Sequence, residues 1–301
     1  MTEYGDWRLR LRLLSPLGSA MQSDTLFGHL AWQVRFAEGD EGVSRFLKPF
    51  LAGDPPFVLS DAFPRDLLPR PLGSAGLAAA ATRDDYAARK RRSKAAFVSA
   101  AGFRALAQGG EPAAEPLPDP WKRVKTPHAS INRITGATGD GGQFFETEAQ
   151  TLECGEVDIY VRAQGAWADR VVALFRTMSR SGFGRDKSVG CGAFEVGDMA
   201  PWDGFAAPQG ADGFVTLSTY MPSAADPVDG RWRLRVKRGY LGEQAGGGNP
   251  FKRPLVQIAP GAIWRGQPRP WVGRMVRDVA PGMPQAVQCG LALAVAVKWR
   301  E

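Results

Sequence analysis

Histidine and cysteine are scarce in this sequence, which has two histidines and three cysteines among 301 residues. The cysteines, Cys154, Cys191 and Cys289, are far apart and form no CxxC pair. The sequence therefore predicts neither a zinc site nor a disulfide framework, and it fits a reduced, cytoplasmic setting. The histidines, His29 and His128, belong to no catalytic triad or metalloprotease pattern. We expect no catalytic residue, no metal and no cofactor.

A membrane-spanning segment is also missing from the sequence. The longest apolar run, Leu291 to Val297, is far shorter than the roughly 20 residues that cross a bilayer as a helix. Polar and charged residues follow Met1, which is not the pattern of a signal peptide. We expect no membrane partner.

Positive charge is in excess. The chain has 38 lysines and arginines against 31 acidic residues, a formal net charge of +7. This excess favours a polyanionic partner such as a nucleic acid, although charge alone does not establish one. The length fits one large or two medium domains, and a hydrophobic content of 44% is enough to form a full core.

Two strand–helix–strand units are predicted in the first two-thirds of the chain. Apolar residues alternate with arginines from Trp7 to Leu13, which predicts a strand with one apolar and one basic face. Ser23 is placed to cap the next helix, whose apolar stripe includes Leu26 and Val34. The other predicted elements are a short strand at Phe57–Ser60, a strand at Val157–Arg162, a helix at Trp167–Met178 and a strand at Ala193–Val196. This order is typical of a ferredoxin-like, or RRM-like, α+β domain.

An insertion separates the two units. It contains an alanine-rich stretch at 75–81, a basic run at 89–92 and a flexible, proline-rich stretch at 109–120. A glycine turn at 139–142 precedes two phenylalanines and predicts the tip of a projecting β-hairpin. After residue 200 the pattern indicates strands with few helices. We predict an N-terminal domain at 1–200, with its insertion and thumb at about 64–150, and a strand-rich C-terminal domain at 201–301.

The glycine-rich segment from Ser181 to Val196 is the most informative motif. Its candidate phosphate-binding residues are Gly182, Gly184, Arg185, Lys187, Ser188 and Gly190. Glycines let backbone N–H groups approach a ligand, and two cations with a hydroxyl suit phosphate. The predicted order is helix–loop–strand, the reverse of a nucleotide-binding P-loop, and Asp186 replaces the glycine before the P-loop lysine. We reject the NTPase interpretation; a plain surface turn is the alternative.

Basic residues are interleaved with aromatic residues elsewhere, for example at Trp121–Arg123 and Arg231–Arg233. Cations bind phosphates while aromatic rings stack on exposed bases. Packing in the core is the alternative interpretation for any one of these aromatic residues. His128 lies in a basic segment and could act as a general base, but the sequence supplies no nucleophile beside it.

Three segments, in this order, resemble the RAMP superfamily. Ser23 to Phe27, SDTLF, resembles the signature at the first helix of that superfamily. Pro127 to Gly136, followed by 141–145, resembles its H-x-x-I-x-R-x-T-G … G-x-L-F segment, and the motif at 181–196 resembles its glycine-rich signature loop. The ordered set covers almost the whole chain and is similar to subunit four of the Csm complex, the type III-A CRISPR effector. Asn132 and Gln143 depart from the usual pattern.

This resemblance implies a fold with two ferredoxin-like domains and a projecting thumb, and it implies a subunit without nuclease activity. Such a subunit would cap the repeat-derived 5′ handle of the crRNA in antiviral defence. It would bridge the large polymerase-like subunit to the backbone RAMP subunit and contact target RNA only indirectly. The candidate RNA-binding residues are Ser23, Thr25, His128, Arg133, Phe144, Phe145, Gly182, Gly184, Arg185, Lys187, Ser188 and Gly190.

Two alternatives remain open from the sequence. One is a RAMP endoribonuclease that processes CRISPR repeat RNA, with His29 or His128 as its general base. The other is the equivalent cap subunit of a related effector, of a type III-D-like or type VII-like kind.

Overall fold

The computed structural model describes residues 3–73, 86, 95–110, 117–138, 144–242 and 250–299. The alanine-rich stretch at 75–81, the basic run at 89–92 and the glycine turn at 139–142 lie outside the described residues. Within these ranges, no helix is both long and apolar enough to cross a membrane.

Three helices and sixteen strands are found among the described residues. The helices are α1 (Ser23–Leu51), α2 (Ala100–Ala107) and α3 (Trp167–Ser181). The strands are β1 (Tyr4–Leu13), β2 (Phe57–Leu59), β3 (Phe63–Pro64), β4 (Leu67–Pro69), β5 (Phe97–Ser99), β6 (Trp121–Ala129), β7 (Phe144–Leu152), β8 (Glu156–Gln164), β9 (Phe194–Pro201), β10 (Gly213–Thr216), β11 (Gly230–Arg231), β12 (Leu234–Lys237), β13 (Leu255–Ile258), β14 (Ile263–Arg265), β15 (Trp271–Gly273) and β16 (Leu291–Val297).

The N-terminal half is built on one antiparallel sheet in the order β2-β8-β1-β9, with β3 also paired to β8. The units β1–α1–β2 and β8–α3–β9 therefore interleave, which is the split βαβ order of a ferredoxin-like domain. The apolar stripe of α1 is confirmed, because Leu26, Phe27, Leu30 and Val34 are buried in the main core. Leu9 and Leu11 of β1 are buried in the same core.

The C-terminal half is a second antiparallel sheet in the order β11-β14-β10-β16-β15. Strands predominate after residue 200, as the sequence predicts, and the segment at 231–236 divides between β11 and β12, which belong to different sheets. Residues 202–242 and 250–299 contain no helix, so the helices of a second ferredoxin-like unit are not found in this part of the chain.

The packing of β16 explains how this sheet is covered without helices. Leu291, Leu293, Val295 and Val297 belong to the main core, which also contains β1, α1 and α3. Ala292 and Ala294 alternate with them and face a smaller core with Phe214 and Trp264. Because successive strand residues point to opposite faces, one apolar strand fills both cores. The main core therefore contains residues of both halves. The predicted domain boundary at residue 200 stays a prediction.

Ser23 is not the N-cap of α1, contrary to the sequence prediction. The cap position is Gln22, which makes no side-chain capping hydrogen bond. The Ser23 hydroxyl instead donates to the Thr219 carbonyl oxygen at 3.0 Å, and the Ser23 N–H donates to Asp61 at 2.9 Å. Thr219 donates to the same carboxylate through its N–H at 2.7 Å and its hydroxyl at 2.6 Å. Burial raises the pKa of Asp61, and these hydrogen bonds oppose that rise.

Asp24 makes a second buried link between the halves. Its carboxylate pairs with the Lys237 ammonium at 2.6 Å. The side-chain amides of Gln257 and Gln288 each donate to its other oxygen at 2.8 Å. Because the carboxylate lies at the N-terminus of α1, the helix dipole also favours its negative charge. The first residues of the SDTLF motif therefore hold the two halves together.

Replacing Asp24 with alanine is expected to destabilise the fold by on the order of 3 kcal/mol. The change leaves the Lys237 ammonium without its counter-ion and two buried amides without an acceptor. Denaturant unfolding followed by circular dichroism measures the loss. Asp40→Ala is the control: it removes an exposed ion pair with Arg35 on the same helix, and it should leave the unfolding midpoint almost unchanged. Equal midpoints for the two variants would contradict a structural role for Asp24.

Candidate nucleic-acid interface

The glycine-rich loop follows α3 and leads into β9, as the sequence predicted. Gly182, Gly184, Gly190 and Gly192 all have φ between +73° and +98°, a region that glycine enters without steric cost. The loop closes on itself, because the Phe183 N–H donates to the Gly192 carbonyl oxygen at 2.9 Å. The Phe183 side chain is fully buried in the main core. The loop is thus a fixed structure and not a loose surface turn.

The segment between β1 and α1 holds this loop in place. The Gly192 N–H donates to the Pro16 carbonyl oxygen at 2.8 Å. Ser19 accepts the Arg185 N–H on its hydroxyl at 3.1 Å, and Ser15 accepts the Ala193 N–H at 2.9 Å. No role is predicted for these two serines from the sequence, because their partners lie more than 160 positions away in the chain.

His29 supports the loop from α1. Its Nε2 accepts the Gly184 N–H at 3.3 Å, and its ring lies 4.8 Å from the ring of Phe183. Burial, with a smaller effect of the nearby Lys187 ammonium, lowers the pKa of His29 to about 4. The ring is therefore neutral near pH 7 and accepts a hydrogen bond from the backbone. This arrangement favours the structural interpretation of His29 over a general base, whose pKa would lie near the working pH.

The predicted hairpin is confirmed by β6 and β7. They pair from Trp121–Leu152 at the base to Ala129–Phe144 near the tip. Seven of the nine residues of β6 and the first three residues of β7 are exposed, so the hairpin projects from the body. Its base is fixed by two hydrogen bonds of 2.8 Å between the backbones of Leu17 and Gln150. Arg185 adds a link from the glycine-rich loop, because its guanidinium donates to the Glu148 carbonyl oxygen at 2.7 Å.

The aromatic residues near the tip divide between the two faces of the hairpin. Phe144 and Phe145 are 67% and 51% exposed, and as neighbours in one strand they point to opposite faces. Phe145 stacks on His128 with ring centroids 5.3 Å apart, and His128 Nε2 lies 2.9 Å from the Thr147 hydroxyl. Arg133 is exposed in the turn that follows β6. These residues offer one ring on each side and a cation at the tip.

The structure brings the loop and the base of the hairpin together, but it does not add Ser23 and Thr25 to them. Ser23 is buried, and its hydroxyl is engaged by Thr219. The Thr25 hydroxyl donates to Asp24 at 3.1 Å and accepts a hydrogen bond from Lys237. Both residues face the C-terminal half, so we do not include them in the proposed RNA path. Lys187 is half-buried, while Ser188 and Gly190 are exposed at the crest of the loop.

The basic face of β1 is neutralised within the chain. Arg10 pairs with Asp158 at 2.8 Å, Arg8 pairs with Asp66 at 3.1 Å, and Arg12 pairs with Glu195. Beside them, Tyr160 is covered by Trp202 and Phe205, with ring centroids 5.2 and 5.0 Å away. The sheet therefore cannot offer the open face on which an RRM stacks bases. By contrast, the Lys187 side chain has no hydrogen bond or ion pair with any described residue.

A metal site is not found in the described part of the chain, where no three His, Cys, Asp or Glu residues form a group that could hold an ion.

Comparison with known proteins gives similarity in structure only. No protein-family model matches the sequence, and no curated protein matches it. A chain of the Csm1–Csm4 cassette in complex with cA4 is 22% identical and superposes with a TM-score of 0.67, over 98% of this chain and 99% of that one. A chain of the Csm3–Csm4 subcomplex of the type III-A CRISPR-Cas interference complex is 13% identical, with a TM-score of 0.64 over 99% and 100%. The chain therefore has the fold of these proteins over nearly all of its length.

Gly192 and Gly190 are expected to respond differently to alanine. A Cβ at Gly192 would lie 1.9 Å from the Phe183 carbonyl oxygen, whereas a Cβ at Gly190 would meet nothing within 4 Å. Gly190→Ala then costs only the strain of a positive φ, about 1 kcal/mol. Gly192→Ala adds a backbone clash and should cost roughly 3 kcal/mol or more. Thermal unfolding compares the two variants, and similar losses would mean that the loop is not packed as described.

His29 is expected to make the protein less stable at acid pH. Its folded pKa of about 4 lies below the ordinary value of ~6.5, so the unfolded state binds the proton first. The stabilisation is complete above pH 6.5 and is lost as the pH falls towards 4, by about 2 kcal/mol between pH 7 and pH 5. Denaturant unfolding at both pH values measures this change. His29→Gln keeps an acceptor without a titratable ring and should remove that part of the dependence; an unchanged dependence would refute the assignment.

Proposed function

We propose that this chain is the RNA-binding cap subunit of a type III CRISPR effector complex, equivalent to Csm4. The observation that carries this proposal is full-length similarity in fold to chains of two complexes whose common named component is Csm4. The ordered RAMP-like motifs support it, because they form the start of α1, the hairpin and the glycine-rich loop of one connected structure.

The exposed crest of the glycine-rich loop supports binding to an RNA backbone. Lys187 has no counter-ion among the described residues, and Ser188 and Gly190 beside it are exposed. Open space beside Gly190 lets a phosphate approach the backbone. Cations and N–H groups in such a loop are favourable for phosphate oxygens. We assign the 5′ handle of the crRNA to this crest.

The hairpin extends the proposed RNA path. Phe144 and Phe145 lie nearer the tip of the hairpin than Glu148 does, by four and three residues. The Glu148 carbonyl oxygen accepts a hydrogen bond from Arg185. The separation from Glu148 is roughly 10–13 Å along a strand, so the rings lie close to the proposed phosphate site. The exposed rings can stack on a base or separate two bases. We assign them to the boundary between handle and guide, with Arg133 and His128 supporting the tip.

The roles of the other residues follow from this assignment. Arg185 is a positioning residue, since its side chain joins the loop to the hairpin and to Asp186 at 3.0 Å. We propose no catalytic role, because His29 is engaged by Gly184 and His128 by Thr147. The subunit would work in the cytoplasm, between a large Csm1-type subunit and a backbone Csm3-type subunit.

The test is to co-express the chain with its genomic neighbours and a CRISPR array, purify through this chain and sequence the bound RNA. RNA with one shared, repeat-derived 5′ end is expected. In the same preparation Lys187→Ala should weaken retention of that RNA. It should also reduce the slope of log affinity against log salt concentration by about one, the contribution of one phosphate contact. The matched control is Lys48→Ala, which removes an exposed lysine at the far end of α1 and should have no effect.

Three results would contradict the proposal. Recovery without RNA, or with RNA of random ends, would remove the capping role. Equal effects of Lys187→Ala and Lys48→Ala on RNA retention would show that the glycine-rich loop is not part of the RNA interface. Metal-independent cleavage of repeat RNA by the purified chain, lost in His128→Ala, would favour the endoribonuclease instead.

A further inference from the structure

Asp186 places a carboxylate inside the glycine-rich loop, between Arg185 and Lys187. Its φ is +63°, in the left-handed region that favours glycine and that aspartate also enters. Its side chain makes no capping hydrogen bond to the turn Lys187–Val189 that follows. A glycine would therefore fit the backbone at this position, and the carboxylate adds a negative charge that the turn itself does not use.

The carboxylate of Asp186 is held in one place. The Asp186 carbonyl oxygen accepts the N–H groups of Val189 and Cys191, both at 3.1 Å, which fixes the backbone. Arg185 Nε lies 3.0 Å from the carboxylate, and the same guanidinium donates to the Glu148 carbonyl oxygen at 2.7 Å. The Asp186 side chain is still 26% exposed. A ligand at the crest of the loop would thus meet a fixed negative charge beside it.

The charges of the loop leave room for a single phosphate. Arg185 and Asp186 neutralise each other, whereas the Lys187 side chain has no ion pair with a described residue. One uncompensated positive charge matches one phosphodiester. In RNA a nucleoside separates consecutive phosphates, but in a di- or triphosphate a second charged phosphate follows the first directly. Repulsion from a fixed carboxylate grows with the charge brought near it, and a repulsive group is a common source of specificity.

We propose that Asp186 makes the glycine-rich loop selective for the singly charged phosphodiesters of an RNA backbone over directly linked phosphates, as in pyrophosphate or a nucleoside triphosphate. The inference rests on the proposed function, which assigns RNA to the crest of this loop. It adds a specificity-determining residue that acts by repulsion. Glycines, cations and a hydroxyl would otherwise suit either kind of phosphate.

The test measures how well inorganic pyrophosphate displaces a synthetic handle RNA with a 5′-hydroxyl end from the full-length chain, by fluorescence anisotropy. From the wild type, pyrophosphate should displace no more RNA than sodium chloride of the same ionic strength does. Asp186→Asn removes the charge and tolerates a positive φ. It should lower the pyrophosphate concentration for half displacement by about tenfold, while the affinity for RNA rises only a few-fold.

Asp198→Asn is the matched control. It removes an exposed carboxylate on β9, outside the loop, and changes the net charge by the same amount. It should therefore respond to pyrophosphate as the wild type does. Asp186→Gly is a second test variant, because glycine adopts a positive φ without strain, and it should behave like Asp186→Asn.

The inference is overturned if the wild type and both Asp186 variants respond equally to pyrophosphate. It is also overturned if those variants lose RNA binding, since the carboxylate would then support the loop. Lys187→Ala separates this inference from the proposed function, because it should weaken RNA binding with or without the Asp186 carboxylate. A wild-type chain that does not bind handle RNA, or that binds it equally well without the Lys187 ammonium, would refute the RNA assignment and the inference with it.

Discussion

The carboxylate of Asp24 is the contact on which the arrangement of the molecule depends. It is buried at the first turn of α1 and is held by a lysine and two glutamines of the C-terminal half. The neighbouring Ser23 and Asp61 add a second set of hydrogen bonds to Thr219. A buried carboxylate is tolerated only when its partners are in place, so these contacts define one orientation of α1 against the C-terminal half. His29, farther along the same helix, then reaches the glycine-rich loop.

Rigidity of the candidate site comes from contacts of the glycine-rich loop with the core, with the segment before α1 and with the hairpin. Phe183 anchors the loop in the core, Pro16 and Ser19 bind its two sides, and Arg185 joins it to the hairpin. A preformed loop has little conformational entropy left to lose when it binds a phosphate backbone. The Arg185 contact also links the loop to the base of the hairpin.

The distribution of paired and unpaired cations distinguishes structural from binding surfaces better than net charge does. The arginines of β1 are neutralised by Asp66, Asp158 and Glu195. The Lys187 side chain has no such partner among the described residues. The alternating arginines of β1 predict a basic face, because periodicity shows which side of a strand is polar. Periodicity does not show which acidic residues of distant segments lie opposite those arginines in the folded chain.

Local patterns in the sequence determined most elements of the fold. The alternation of β1, the stripe of α1, the helix–loop–strand order around the glycines and the hairpin before Phe144 all follow from spacings within about fifteen residues. What the tertiary structure alone decided are the contacts between distant segments: the burial of Ser23, the burial of Asp24 beside Lys237, the neutral acceptor role of His29, and the division of residues 231–236 between two sheets. The physical reason is that hydrogen bonds, ion pairs and burial depend on partners up to 264 positions away in the chain, whereas periodicity reports only the neighbours of each residue.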